Sequence, residues 1–239
     1  MQQLRRKLQK ALQVPETDET YPGDGLYLSP VDPSDAVRIV THVHLKPGYV
    51  LQGYQYISGS NGNGFVYAIP EEARLPDPYE HVHRLKEVVP GVHLPYPEPP
   101  NALPHFMDAI EGDGSPRSFL EASILMRELE EFGAIWHGCD WADHAILYTD
   151  PNNGKSRLPM ELREDDRWLP EYWTWLVPRP EEWRPCVKLG DQGATVEFFS
   201  FSALGQCNIV KHVDTYEHGS MHPTSASQDL AFGPVGYIS

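Results

Sequence analysis

Val37-Arg38-Ile39-Val40-Thr41-His42-Val43-His44-Leu45 is the stretch whose reading decides the fold. Val37, Ile39, Thr41, Val43 and Leu45 alternate with Arg38, Val40, His42 and His44. Side chains on a strand alternate between faces, so this period of two predicts a strand. Lys46-Pro47-Gly48 follows with turn chemistry: proline fixes φ and glycine admits a positive one. A second strand is expected over 50–58, Asn61-Gly62-Asn63-Gly64 as the next turn, and a third strand over 65–69. The reading is an antiparallel meander from 37 to 69.

Outward from it, residues 2–14 space Leu4, Leu8, Ala11 and Leu12 as one face of a short helix, with the basic residues around the other side. Residues 70–104 carry nine prolines, which excludes a long helix or a central strand and suggests an extended connection, with room for a short helix at 80–88. Ser118 and Glu121 have capping-box spacing, and Phe119, Ala122, Leu125, Leu129 and Phe132 form an apolar stripe. A central amphipathic helix at about 118–132 follows, stopped near Gly133. Strands are expected over 134–137 and 145–149, and 195–202 with 207–216 reads as a hairpin. The tail from Glu217, rich in Gly, Ser, His and Pro, reads as irregular. The fold class is therefore α+β, with mainly antiparallel sheet built from hairpins and long proline-rich connections. A single domain over 1–239 is expected, divisible into 1–70 (helix and meander), 71–114 (proline-rich connection) and 115–239.

The chain has 239 residues and a formal net charge of −15. Arg5, Arg6, Lys7 and Lys10 stand in the first fourteen residues without an acid, so the remainder is more negative than the whole. That field disfavours nucleic acid and suits a basic protein or a small ligand as partner. Three cysteines without a C-x-x-C, no apolar run of roughly 20 residues, and no apolar segment after the basic N-terminus lead us to expect a soluble cytoplasmic protein with no membrane contact. Oligomeric state is not legible. No Gly-rich phosphate loop, dinucleotide fingerprint, nucleophile elbow or H-E-x-x-H occurs, so no nucleotide cofactor is expected.

Two chemistries remain. Eleven histidines make the chain histidine-rich. His42 and His44 at i and i+2 of a strand share a face and could share a transition metal such as zinc or iron. His212 and Asp214 share a face of the expected last strand, and His137 and His144 lie in a polar cluster, so either group could complete the shell. That reading is a metal-dependent enzyme of hydrolase or oxygenase type. Cys139, with Asp140 and Asp143 beside it, is the alternative catalytic group, a thiol activated by histidine. The other chemistry is binding: all six tryptophans lie between 136 and 183, interleaved with proline. Trp168, Trp173, Trp175 and Trp183 would then present a rigid aromatic-proline surface to a partner. A binding or interaction protein is the first expectation, and the metal enzyme is its alternative.

Overall fold

The computed structural model describes residues 1–13, 24–59, 61–89, 92–135, 139–151 and 170–236. In it residues 37–45 divide, correcting the expected strand. Asp32 Oδ1 accepts from Ser34 N at 2.8 Å, and helix α2 runs over Ser34–Ile39. Ala36, Val37 and Val40 bury one helical face, which the alternating pattern equally supplies. Only Val43–Leu45 (β2) is strand, paired antiparallel with Ile110–Gly112 (β7).

The meander survives as a different three-stranded sheet, ordered β1 (Gly25–Leu28), β3 (Tyr49–Ser58), β4 (Asn61–Pro70). The expected Asn-Gly turn lies inside β4, where Asn61, Gly62, Asn63 and Gly64 face Ser58, Ile57, Tyr56 and Gln55. These glycines allow close approach: a Cβ on Gly64 would run into the backbone and ring of Phe132. The proline-rich stretch holds a hairpin of β5 (Val82–Val89) and β6 (Val92–Pro97), where a short helix was expected. A two-stranded ribbon is all edge, so Pro95 and Pro97 fit it.

Helix α1 spans Gln2–Leu12 and α3 spans Pro116–Glu130. The N-cap of α3 is Ser115, three residues before the expected cap, with Ser118 N donating to its Oγ at 3.3 Å. Glu121 instead accepts from the Thr41 and His42 amides at 2.9 and 2.7 Å, fixing the α2–β2 junction. Gly133 at φ 65° turns the chain beyond the helix.

The larger sheet is ordered β10 (Cys186–Gly190), β11 (Gly193–Ser202), β12 (Gln206–Glu217), β13 (Thr224–Val235), β9 (Thr174–Trp175), with β8 (Ala145–Leu147) also on β11. The tail expected to be irregular is thus strand β13, in register with β12 from Thr224 to Asp229. Ala194, Val196 and Phe198 face the helices, and Phe199 and Phe201 face a second core with Trp173 and Trp183. Among the described residues the chain is mostly antiparallel sheet with three α-helices. No helix among the described residues is long and apolar enough to cross a membrane.

Candidate functional site

The last turns of α3, the turn at 140–144 and the inner face of β12–β13 enclose a polar cleft. Its two adjoining lobes, about 470 and 380 Å³, share Arg127, Glu130, His212 and Ser227. Period two on β12 aims Val210, His212, Asp214 and Tyr216 toward α3, and register sets Ser225, Ser227 and Asp229 beside Asp214, His212 and Val210.

The 140–144 turn is held by carboxylates from α3 and by one arginine from α1. Glu131 accepts from the amides of Asp140 and Ala142 at 2.7 Å each, and from that of Trp141. Burial pushes the Glu131 carboxyl up to about 7, against the pull of those three donors. Glu128 accepts from Trp141 Nε1 at 2.8 Å and from Arg5 Nε at 2.6 Å. Arg5 is 1% exposed, lies over the Trp141 ring and donates to the carbonyls of Trp141 and His144.

Ser200, fully buried on β11, places its Oγ 2.7 Å from His144 Nδ1 and 2.7 Å from His212 Nε2. Asp140 Oδ1 lies 3.7 Å from His144 Nε2. One proton arrangement satisfies the chain: His144 Nε2–H faces Asp140, Ser200 donates to His144 Nδ1, and His212 Nε2–H donates to Ser200. Burial, with the Arg127 charge next in weight, drives His212 down to about 3, so it is neutral. A serine between imidazoles resembles an acyl-transfer nucleophile, but no substrate carbonyl can reach a side chain with no exposure. Beneath it Arg127 clamps Asp214 bidentately at 2.7 and 2.8 Å, and Ser225 Oγ donates to Asp214 at 2.7 Å. Burial would raise the Asp214 carboxyl, but Arg127 and Ser225 outweigh it and hold it below the ordinary value.

A neutral buried His212 predicts acid sensitivity. Its folded pKa lies below the unfolded 6.5, so the stability it contributes is complete above 6.5 and is lost as pH falls toward 3. Over that window it binds a proton only when unfolded, a slope of about 1.4 kcal/mol per pH unit. His105, stacked on His222 and accepting from Met107 N, is driven to about 4 by burial and adds a similar slope. Glu131, raised toward 7, opposes both below that pH. His212→Gln should therefore reduce the measured slope of unfolding free energy between pH 4 and 6 by about one proton. An unchanged slope in denaturant titrations would show that His212 is charged in the fold.

Of the residues expected to carry function, the cleft gathers Asp140, His144, His212 and Asp214. It does not gather His42 and His44: β2 begins only at Val43, and the two rings meet Asp113 at 2.8 Å and Glu111 at 3.5 Å. Among the described residues no three His, Cys, Asp or Glu groups are placed to hold a metal ion. His144 Nδ1 and His212 Nε2 are each turned to the Ser200 hydroxyl. Cys139 is half-buried and its thiol is raised to about 11 by burial and by Glu131 and Asp143, the opposite of an activated nucleophile. Asp143 ends the 3-10 turn Trp141–Asp143 and does not line the cleft. Trp173 and Trp183 are core, since they cover the outer face of the large sheet, and Trp175 is half-buried against them, so these three form no open aromatic surface. His137 and Trp168 lie outside the described residues.

Sequence reasoning did not find Arg5, Arg127, Glu131, Ser200 or Asp229. A faint signal existed for Ser200, a small polar residue amid Phe198, Phe199 and Phe201 on a strand. Arg127 could have been noted four residues after Ser123, whose carbonyl it reaches at 2.9 Å. In comparisons with known proteins, the chain matches no family model, no curated protein and no solved structure.

Proposed function

We propose that this is a binding protein whose recognition element is the cleft between α3 and the large sheet, and that the cleft takes a basic group, ammonium or guanidinium, from a small ligand or a partner protein. The observation that carries the reading is the charge of the lining. Glu130, Glu131, Asp140 and Asp229 surround the larger lobe, and Arg127, the one permanent cation lining it among the described residues, is already neutralised by Asp214. A cleft lined by one sign of charge with low-dielectric walls focuses its field on the opposite charge, and the chain's net charge of −15 extends the attraction outward. Among the described residues no three ligands are placed for a metal ion, and the acid–base groups of the cleft are already paired, which favours binding over the metal-enzyme alternative.

Calorimetric titration with arginine amide tests it. Saturable binding is expected that weakens with added salt and weakens further in the Glu130→Gln/Asp229→Asn double variant. A bound cation draws the raised Glu131 proton off, so the affinity for N-acetylated arginine amide, whose guanidinium keeps its charge throughout, should rise from pH 6 to pH 8 with proton release. Absence of saturation, or binding indifferent to the double variant, refutes the assignment.

A further inference from the structure

The strand that walls the cleft is also an open edge of the sheet. Strand β13 pairs with β12 along Thr224–Asp229. On its other side β9 reaches only Ala231 and Phe232, with Leu176 N donating to Leu230 O at 2.9 Å. All six residues from Thr224 to Asp229 are exposed, and among the described residues none pairs with their outer edge. Edge strands are ordinarily guarded by lysine, proline, bulges or a covering element, because their free amides and carbonyls are a template for another chain. Thr224-Ser225-Ala226-Ser227-Gln228-Asp229 carries no lysine and no proline, and its small side chains leave the backbone accessible.

A strand added here would lie about 4.8 Å beyond β13. Every second side chain of it would fall on the face of Ser225, Ser227 and Asp229, the face that lines the cleft. We propose that the Thr224–Asp229 edge receives an extended basic peptide segment of a partner protein as an added strand, with alternate Lys or Arg side chains entering the cleft. The idea rests on the cleft reading above and names the form of its ligand. Main-chain pairing would give affinity, and the carboxylates of Glu130 and Asp229 would select the side chains. A second copy of this chain is the disfavoured occupant, because two bodies of charge −15 repel.

The test compares four probes by calorimetry: arginine amide, a capped octapeptide alternating Arg with Thr, and two N-methylated forms of that octapeptide, one on its odd and one on its even amides. The octapeptide should bind at least tenfold tighter than arginine amide. One methylated form, the one blocking amides that face β13, should lose at least tenfold, while the other keeps its affinity. On the protein side, N–H direction alternates along a strand, so one of Ala226→Pro and Ser227→Pro removes an outward donor without breaking a β12 pair. That variant, identified by an unchanged melting temperature, should lose at least tenfold more of its octapeptide affinity than of its arginine amide affinity. If the octapeptide binds no tighter than arginine amide, or both methylated forms bind equally, the edge is not used and the cleft reading stands. If neither probe binds, both fall. A concentration-dependent dimer in sedimentation, abolished by the same proline, overturns the proposal in favour of self-pairing.

Discussion

Replacing Arg5 by alanine should cost about 3–5 kcal/mol of folding stability, because it leaves a buried carboxylate without its counter-charge. The guanidinium is 1% exposed, and its Nε, Nη1 and Nη2 serve Glu128, the His144 carbonyl and the Trp141 carbonyl. Glu128 has 5% of its side chain exposed and would retain Trp141 Nε1, and two carbonyls would lose a donor. Against a typical domain stability of about 5–15 kcal/mol, that is about a fifth of the total or more. Arg6, Lys7 and Lys10 stand exposed on the same helix, and alanine there should shift stability by no more than about 0.5 kcal/mol. Urea midpoints of the four variants decide the matter, and equal midpoints for Arg5→Ala and Arg6→Ala would defeat it. Two further signatures mark the mechanism. Arg5→Met with Glu128→Met should recover much of the loss, since no lone charge is left. The Arg5→Ala deficit should also shrink as pH falls toward 5, because burial already raises the Glu128 carboxyl and a protonated Glu128 needs no counter-charge.

Arg5 also shows why the site was harder to read than the fold. Basic residues of a leucine-striped helix are assigned to the wet face, and nothing local distinguishes Arg5 from Arg6. What distinguishes it is Glu128, 123 residues away. The same holds for Arg127 with Asp214, 87 apart, and for His144 with Ser200, 56 apart. Period two did place His212 and Asp214 on one face, but only the tertiary structure brings Ser200 and Arg127 to them. In the fold, α3 and the β11–β12 hairpin were legible because their periodicity is long, although the N-cap of α3 fell three residues before the expected one. Residues 37–45 misled because apolar alternation over a few positions also fills the Ala36, Val37, Val40 face of a helix, and Asp32 starts that helix. Thr224–Asp229 misled because small polar residues read as loop when the pairing partner that makes them a strand is β12. The tryptophans misled because composition marks aromatic mass without saying which face of a sheet it covers.

Arg127→Met should likewise cost about 3–5 kcal/mol, again through an orphaned buried charge. Asp214 is 0% exposed, and without the two guanidinium bonds it keeps only neutral donors among the described residues, Ser225 Oγ at 2.7 Å and the Ser123 hydroxyl. The converse change, Asp214→Leu, strands Arg127 instead, but 10% of that side chain reaches the cleft and Glu130 lines the same lobe, so its cost should be smaller. The asymmetry is the first check. The second is the double variant Arg127→Met/Asp214→Leu, which removes both charges and should lie above Arg127→Met in stability. The third reads the cleft itself. The Arg127 charge is, after burial, the main force holding His212 neutral, so its removal should raise the His212 pKa in an NMR titration. Removing Arg127 and Asp214 together leaves the net charge of the cleft unchanged, with Glu130, Glu131, Asp140 and Asp229 in place. Arginine amide should therefore still bind the double variant, while Arg127→Met alone, more acidic by one charge, should bind it more tightly wherever it remains folded. Weaker binding by folded Arg127→Met would mean that Arg127 contacts the ligand, and that the group the cleft accepts is an anion.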